Sequence, residues 1–351
     1  MFKVAYSVSY FIQGALIGLF LSYYAFLMSV REFSIVVTLF LLAWTVKPLY
    51  SFIIDKFNYL ASIFSIFLAF ILLTIPSGYL SIEHALLIGI AMGLLDVSAD
   101  GWLTTLTREK RVDPNFWSGL GFAIRTIGFL LIVALTMIDI EFFEKVLFTW
   151  LKVLGFTLAL ITGLAFTKFR FSEEGDIEIV LRHFTNNILL YISLYFFTSW
   201  ASAIFDVATK LKESRILLLE IIFLTTIFSI LAHRYGINWY IFKFTIITSA
   251  LALFIALYST VMNYMFGLEL TIAIMASLPW PIYGILNDKA SEVNSYTVFY
   301  TSLLYGISNL TDAIYINTIL FVLPTCSYPI VYLILGAPFM VIYNRYGTNT
   351  V

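Results

Sequence analysis

The chain has 351 residues, of which 61% are hydrophobic, 18% aromatic and only 12% charged, and its formal net charge is −1. With a mean hydropathy of +0.95 it lies far outside soluble globular composition and reads as an integral membrane protein. The near-neutral charge and the lack of a basic tract argue against nucleic acid as a partner, and the single cysteine, Cys326, excludes an internal disulfide or a Cys-based metal site.

Apolar runs long enough to cross a hydrocarbon core of ~30 Å predict twelve spans, at about 5-27, 34-54, 60-76, 83-106, 116-137, 147-167, 187-208, 215-232, 238-258, 261-286, 294-323 and 327-343. The first is too long for a signal peptide and lacks a small-residue cleavage site, so it reads as a retained helix. The longest connection, residues 168-186, falls midway and is the expected cytoplasmic loop between two six-helix bundles, 1-167 and 187-351. No segment outside the membrane is long enough to bury a core of its own, so function rests with the helices. Two halves of six predict an all-α polytopic fold built as a parallel repeat. With the N-terminus inside, eleven Lys and Arg residues fall in cytoplasmic segments and five in external ones, which puts both termini in the cytoplasm. The cluster Lys210, Lys212 and Arg215 is the dissenting group.

Small residues at helical spacing, GALIG (Gly14 to Gly18) and GIAMG (Gly89 to Gly93), give spans one and four faces that let backbones approach closely. SFIIDKF closes the second span and SILAHRYG the eighth, placing Asp55 and Arg234 at equivalent cytoplasmic helix ends as the expected gate. Pro48, directly after Lys47, and Pro279 and Pro281 in LPWPIYG predict interruptions of spans two and ten. Tyr10, Trp44, Tyr50, Trp102 and Trp280 are placed either to stack on a flat ligand or to anchor at interfaces.

An ionisable side chain near the bilayer centre costs ~2.5–3.5 kcal/mol, so those that remain face a cavity or one another. Lys152, Lys243 and Asp206 lie close enough to span ends to reach an interface, with Glu220 slightly deeper. Lys47 and Asp100 each lie ~12 Å from a cytoplasmic helix end, and Arg125 ~15 Å, between the levels of Asp100 and Asp96. Asp96 and Asp100 share one helix face. The depths therefore predict that each carboxylate is neutralised by a cation at its own level, as a static brace or as part of a solute path. Glu269 and Asp312 lie ~12–16 Å from the external face with no cation at their depth. A lone carboxyl in hydrocarbon favours its neutral form, which makes this pair the candidates for proton coupling, with a structural role as the alternative.

Three stretches together, YFIQG (Tyr10 to Gly14), WTVKPLYSFIID (Trp44 to Asp55) and DVSADGW (Asp96 to Trp102), resemble the major facilitator branch that contains folate-biopterin transporters, muropeptide permeases and acetyl-coenzyme A transporters. The resemblance covers mainly residues 8 to 130. It implies a twelve-helix facilitator fold with a central cavity that moves a small organic solute by alternating access, with Lys47, Asp96 and Asp100 as matched polar positions. Gln13, inside the first stretch, and Arg125 complete the expected substrate-binding or gating set. Ser51 stands where the common facilitator motif has Gly, and Phe57-Asn58-Tyr59 lacks that motif's basic cluster.

The expectation is a monomeric, multi-pass secondary transporter of the cell membrane that needs neither cofactor nor metal and is driven by protons in preference to sodium. A polytopic enzyme is disfavoured, because the Y-D and G-x-G-D pair of an aspartyl intramembrane protease is missing and His84, His183 and His233 are scattered. The alternative is a facilitator-like scaffold or assembly factor without transport.

Overall fold

The computed structural model describes residues 1–57, 59–78, 80–138, 140–168, 175–188, 223, 290–293 and 296–321. The predicted spans at 238-258, 261-286 and 327-343, and those at 187-208 and 215-232 but for residues 187, 188 and 223, lie outside these residues, as do Arg234, Glu269, Pro279 and Pro281. Every regular element among the described residues is helical. We label α1 (Phe2–Leu27), α2 (Val30–Lys56), α3 (Leu60–Thr74), α4 (Ile82–Arg108), α5 (Pro114–Ile138), α6 (Ile140–Phe166), α7 (Ile177–Asn186) and α8 (Thr297–Phe321). Five of them, α1, α2, α4, α5 and α6, are long and apolar enough to cross a membrane.

The helix ends follow from local chemistry. Ser29 opens α2 with a capping box, its hydroxyl accepting from the Glu32 N–H while Glu32 accepts from the Ser29 N–H, which satisfies two otherwise orphaned donors. Ser81 caps α4 through the His84 N–H. Inside the helices, Ser and Thr hydroxyls bond carbonyls one turn back, as Ser9 does to Ala5, Ser98 to Leu94 and Thr104 to Asp100. These hydroxyls are thereby satisfied within their own helices, as lipid requires.

The small-residue faces pack as the sequence suggests. A Cβ on Gly14 would lie 1.8 Å from the Arg125 carbonyl oxygen and one on Gly18 2.9 Å from that of Phe129, so α1 and α5 touch backbone to backbone in parallel register. Gly89 meets Phe40 and Ala43, and Gly93 meets Trp44, which seats α4 on α2. Such close approach maximises dispersion contact where no hydrophobic force acts between helices. Two π-helical turns, Phe20–Tyr24 in α1 and Phe143–Leu147 in α6, sit at one end of the bundle. There the Tyr23 hydroxyl donates to Glu144 at 2.6 Å and accepts from the Gly78 N–H at 2.7 Å.

Two features refine the expected elements. The segment predicted as a plain loop, 168-186, contains α7, capped by Asp176 through the Glu178 N–H at 2.9 Å. Its His183 Nδ1 lies 2.6 Å from the Tyr300 hydroxyl on α8, and Nε2 lies 3.5 Å from Glu292. In addition, α2 breaks at Val46 into Val30–Thr45 and Lys47–Lys56. Pro48 has no N–H to continue the ladder, and the Leu49 N–H donates instead to Val46, three residues back, at 3.0 Å.

Candidate functional site

Helix α8, from the second half of the chain, lies along α2 in antiparallel register and closes against α4. The contact is polar at both ends. At one end, Asp55 reaches across to the start of α8. Its carboxylate accepts the Phe299 N–H at 2.8 Å and the Val298 N–H at 3.3 Å. These are the second and third residues of α8, the amides that an N-cap side chain normally satisfies. Tyr296, the residue before the helix, has φ +42° and no short acceptor of its own, so Asp55 supplies the cap from another helix, with its negative charge at the positive end of the α8 dipole. Arg108 donates to the Thr297 hydroxyl at 3.1 Å, Thr301 bonds Thr104 at 3.0 Å, and Phe52 stacks on Tyr296.

At the other end, the Ser34 hydroxyl donates to Asn317 Oδ1 at 2.6 Å, and Asn317 Nδ2 donates to Thr38 at 2.7 Å. Between the two ends, Gly306 lies against the break in α2. An added Cβ would be 2.9 Å from the Thr45 carbonyl oxygen and 3.4 Å from Pro48.

The buried charges gather at the level of this break. Lys47, 2% exposed, forms an ion pair with Asp96, and its ammonium lies 4.5 Å from the Trp44 ring and 6.0 Å from that of Tyr305 on α8. The Arg125 guanidinium lies 5.4 Å from the Trp44 ring. Asp100, 4% exposed, accepts a 2.5 Å hydrogen bond from the Tyr10 hydroxyl.

The expected pairing of each carboxylate with a cation at its own depth is therefore corrected. Lys47, expected level with Asp100 from its distance to a helix end, pairs instead with Asp96, one turn nearer the start of α4. Gly89 faces Phe40 and Gly93 faces Trp44 on parallel α2, and the same register sets Lys47 level with Asp96, because α4 runs about one turn further than α2 at the Asp55 end. Asp100 is left to a neutral phenol on α1. Tyr10 is thus a hydrogen-bond donor to the charged cluster rather than a stacking surface or interface anchor.

Register places further groups in the same layer. Gln13 is one turn beyond Tyr10 on α1, and its neighbour Gly14 abuts Arg125. Asn309 is one turn beyond Tyr305 on α8, which brings it level with Trp44 on antiparallel α2. Both amide atoms of Gln13, the Trp44 Nε1–H and Asn309 Nδ2 are buried without a hydrogen-bond partner among the described residues. Each such group costs about 1–3 kcal/mol. Of the sequence-predicted set, Gln13, Lys47, Asp96, Asp100 and Arg125 come together. Asp312 lies on α8 one turn past Asn309, and Asp55 lies at the seam's end. Tyr305, Asn309 and Asn317 were missed, although amides in an otherwise apolar span were the signal.

No protein-family model matches the chain, and no curated protein matches it. Solved structures do. The human organic anion transporter MFSD10 aligns over 97% of this chain and 97% of its own at 12% identity with a TM-score of 0.69. A variant of the fucose:proton symporter FucP of E. coli aligns over 97% and 96% at 13% identity and 0.65. The xylose transporter XylE of E. coli, in a partially occluded inward-open conformation, aligns over 100% and 99% at 12% identity and 0.60. The chain has the fold that these major facilitator transporters share.

Proposed function

We propose that the chain is a secondary transporter of the major facilitator superfamily that moves a small organic solute by alternating access. In this reading it has twelve spans in two six-helix bundles, 1-167 and 187-351, with both termini and the Asp55 end of α8 in the cytoplasm, and it acts as a monomer in the cell membrane. The motifs of the first half favour the folate-biopterin, muropeptide permease and acetyl-coenzyme A branch.

The observation that carries the reading is the arrangement along α8: a polar latch at each end and a buried charged layer between them. Helix-end hydrogen bonds between two halves are individually worth about 1 kcal/mol, weak enough to open one at a time, whereas a permanent brace is better served by apolar packing. The similar folds of a fucose:proton symporter, a xylose transporter and an organic anion transporter support transport without choosing the solute.

Protons are the proposed driving ion. Asp96 is neutralised by Lys47, while Asp100 is held by a hydroxyl and can take up a proton without leaving a lysine unpaired. Asp100 therefore joins Glu269 and Asp312 as a coupling candidate. The test is uptake into proteoliposomes under an imposed proton gradient. Accumulation that collapses with an uncoupler supports the reading, and Asp100→Asn retaining counterflow while losing gradient-driven accumulation assigns the coupling carboxyl.

A non-transporting scaffold is the competing reading, favoured by the one fact that both ends of the α2–α8 seam are closed together. It requires spin-label distances across the two ends to stay fixed in every condition. Transport requires them to change in opposite senses.

A further inference from the structure

We propose that the solute is uncharged and carries several hydroxyl or amide groups, and that Gln13, Trp44 and Asn309 are the residues that bind it. This rests on the transporter reading above and names the chemistry of its ligand.

The argument starts from which groups in the layer are already satisfied. Lys47 and Asp96 neutralise one another, the Asp100 carboxylate has the Tyr10 hydroxyl, and the Arg125 cation faces the Trp44 ring. Before Asp100 takes up a proton, two acids and two bases within about one helical turn leave no net charge for an ionic ligand to answer. An anion placed there meets Asp96 and Asp100, a cation meets Lys47 and Arg125, and either is stripped of water without a free counter-charge.

The unsatisfied groups are of another kind. Gln13 is fully buried and offers a carbonyl oxygen and an amide NH₂, Trp44 offers an indole N–H, and Asn309 offers an amide NH₂, all without partners among the described residues. The contrast with their neighbours is specific. On α1, α2 and α8, Ser9, Ser22, Thr45, Thr301 and Thr311 bond their own backbone, and the other amide of α8, Asn317, has three hydrogen-bond contacts, while the Tyr6 hydroxyl, one turn before Tyr10, is left open like the set. Buried polar groups are normally paired, so a set left open in one layer, from α1, α2 and α8, is matched by a ligand that brings both donors and acceptors. Neutral amides and an indole N–H recognise hydroxyl and amide groups, and the Trp44 face gives a ring an apolar surface. Because Gln13 and Trp44 belong to one half and Asn309 to the other, such a solute binds both halves at once.

The experiment uses the full chain in detergent and in proteoliposomes with three probe sets of matched size: hexoses, pentitols and N-acetylhexosamines; hexuronates; and hexosamines. Neutral probes are expected to raise the melting temperature and to exchange in counterflow, and Gln13→Leu or Asn309→Leu to weaken their binding roughly tenfold or more, the equivalent of one hydrogen bond. Trp44→Phe, which keeps the ring over the cations, has the same direction. Without solute, Gln13→Leu and Asn309→Leu are expected to melt at or above the wild-type temperature, since each removes an unpaired buried amide. Response to hexuronates or hexosamines alone, or to none of the three sets, overturns the proposal, as does a lower ligand-free melting temperature in both leucine variants. These outcomes leave transport standing as long as the two ends of α8 still exchange by spin-label distance. Ends that never exchange overturn the transporter reading itself.

Discussion

The ammonium of Lys47 rests against Asp96 and not against Asp100, which lies one turn further along the same face of α4. One carboxylate of the pair is thereby fixed as an ion and the other is left to a phenol. The two invite opposite responses to mutation.

Lys47→Met leaves Asp96 charged and unpaired in a site that is only 5% exposed, a loss expected to cost ~3–5 kcal/mol. Lys47→Met combined with Asp96→Asn removes both charges and should recover most of that loss. Thermal unfolding in one detergent distinguishes them, and a double variant no better than the single variant contradicts the pairing.

Tyr10→Phe deletes the donor to Asp100 while keeping the ring packed on Tyr6. A hydrogen bond to a charged group is worth about 1.5–3 kcal/mol, so the variant should melt lower in the background of Asp100 than in that of Asp100→Asn. Equal shifts in both backgrounds would show that the bond contributes nothing.

Asp55→Ala removes the cap that α2 presents to α8, at about 0.5–2 kcal/mol for a lost N-cap. The expected consequence is directional. A cysteine placed at Val298, with Cys326 replaced, reacts faster with a water-soluble maleimide in Asp55→Ala than in the parent. Asn317→Leu should loosen the Ser34 end instead and leave labelling at Val298 unchanged or slower.

Gly14→Ala puts a methyl group 1.8 Å from the Arg125 carbonyl oxygen, and neither backbone can yield without parting α1 from α5. Overpacking of this kind costs ~1–3 kcal/mol. Gly93→Ala, whose added carbon would meet nothing nearer than 3.5 Å, should be close to neutral. A melting temperature for Gly14→Ala equal to that of Gly93→Ala would contradict the contact.

Much of the site was legible because charge is so rare in this chain. Lys47, Asp96, Asp100 and Arg125 announce themselves by depth alone, and the proline after Lys47 marks the break in α2. The pairing was not legible, because depth was counted from the ends of α2 and α4, and in the packed structure those ends are about one turn out of level. The role of Asp55 was half legible: its place at a helix end could be read, but its partner is a pair of backbone amides, and amides carry no signature in a sequence. Helix α7 was overlooked because a short helix with several charged or titratable side chains does not register as a span, although Asp176 before an apolar repeat is a helix-start signal. Asn309 and Asn317 look alike in sequence. Only packing shows that one is fully engaged and the other is not.

If the chain works as the proposed transporter, the near-contact of Gly306 with the interrupted ladder of carbonyls in α2 would act as a fulcrum. It divides α8 into arms of ~12 Å toward Val298 and ~16 Å toward Asn317. Rotation about such a point widens one mouth as it narrows the other, so no single tilt uncovers both. The membrane would then stay electrically tight through the whole cycle, and a bulkier residue at 306 would be expected to show itself first as a leak of ions.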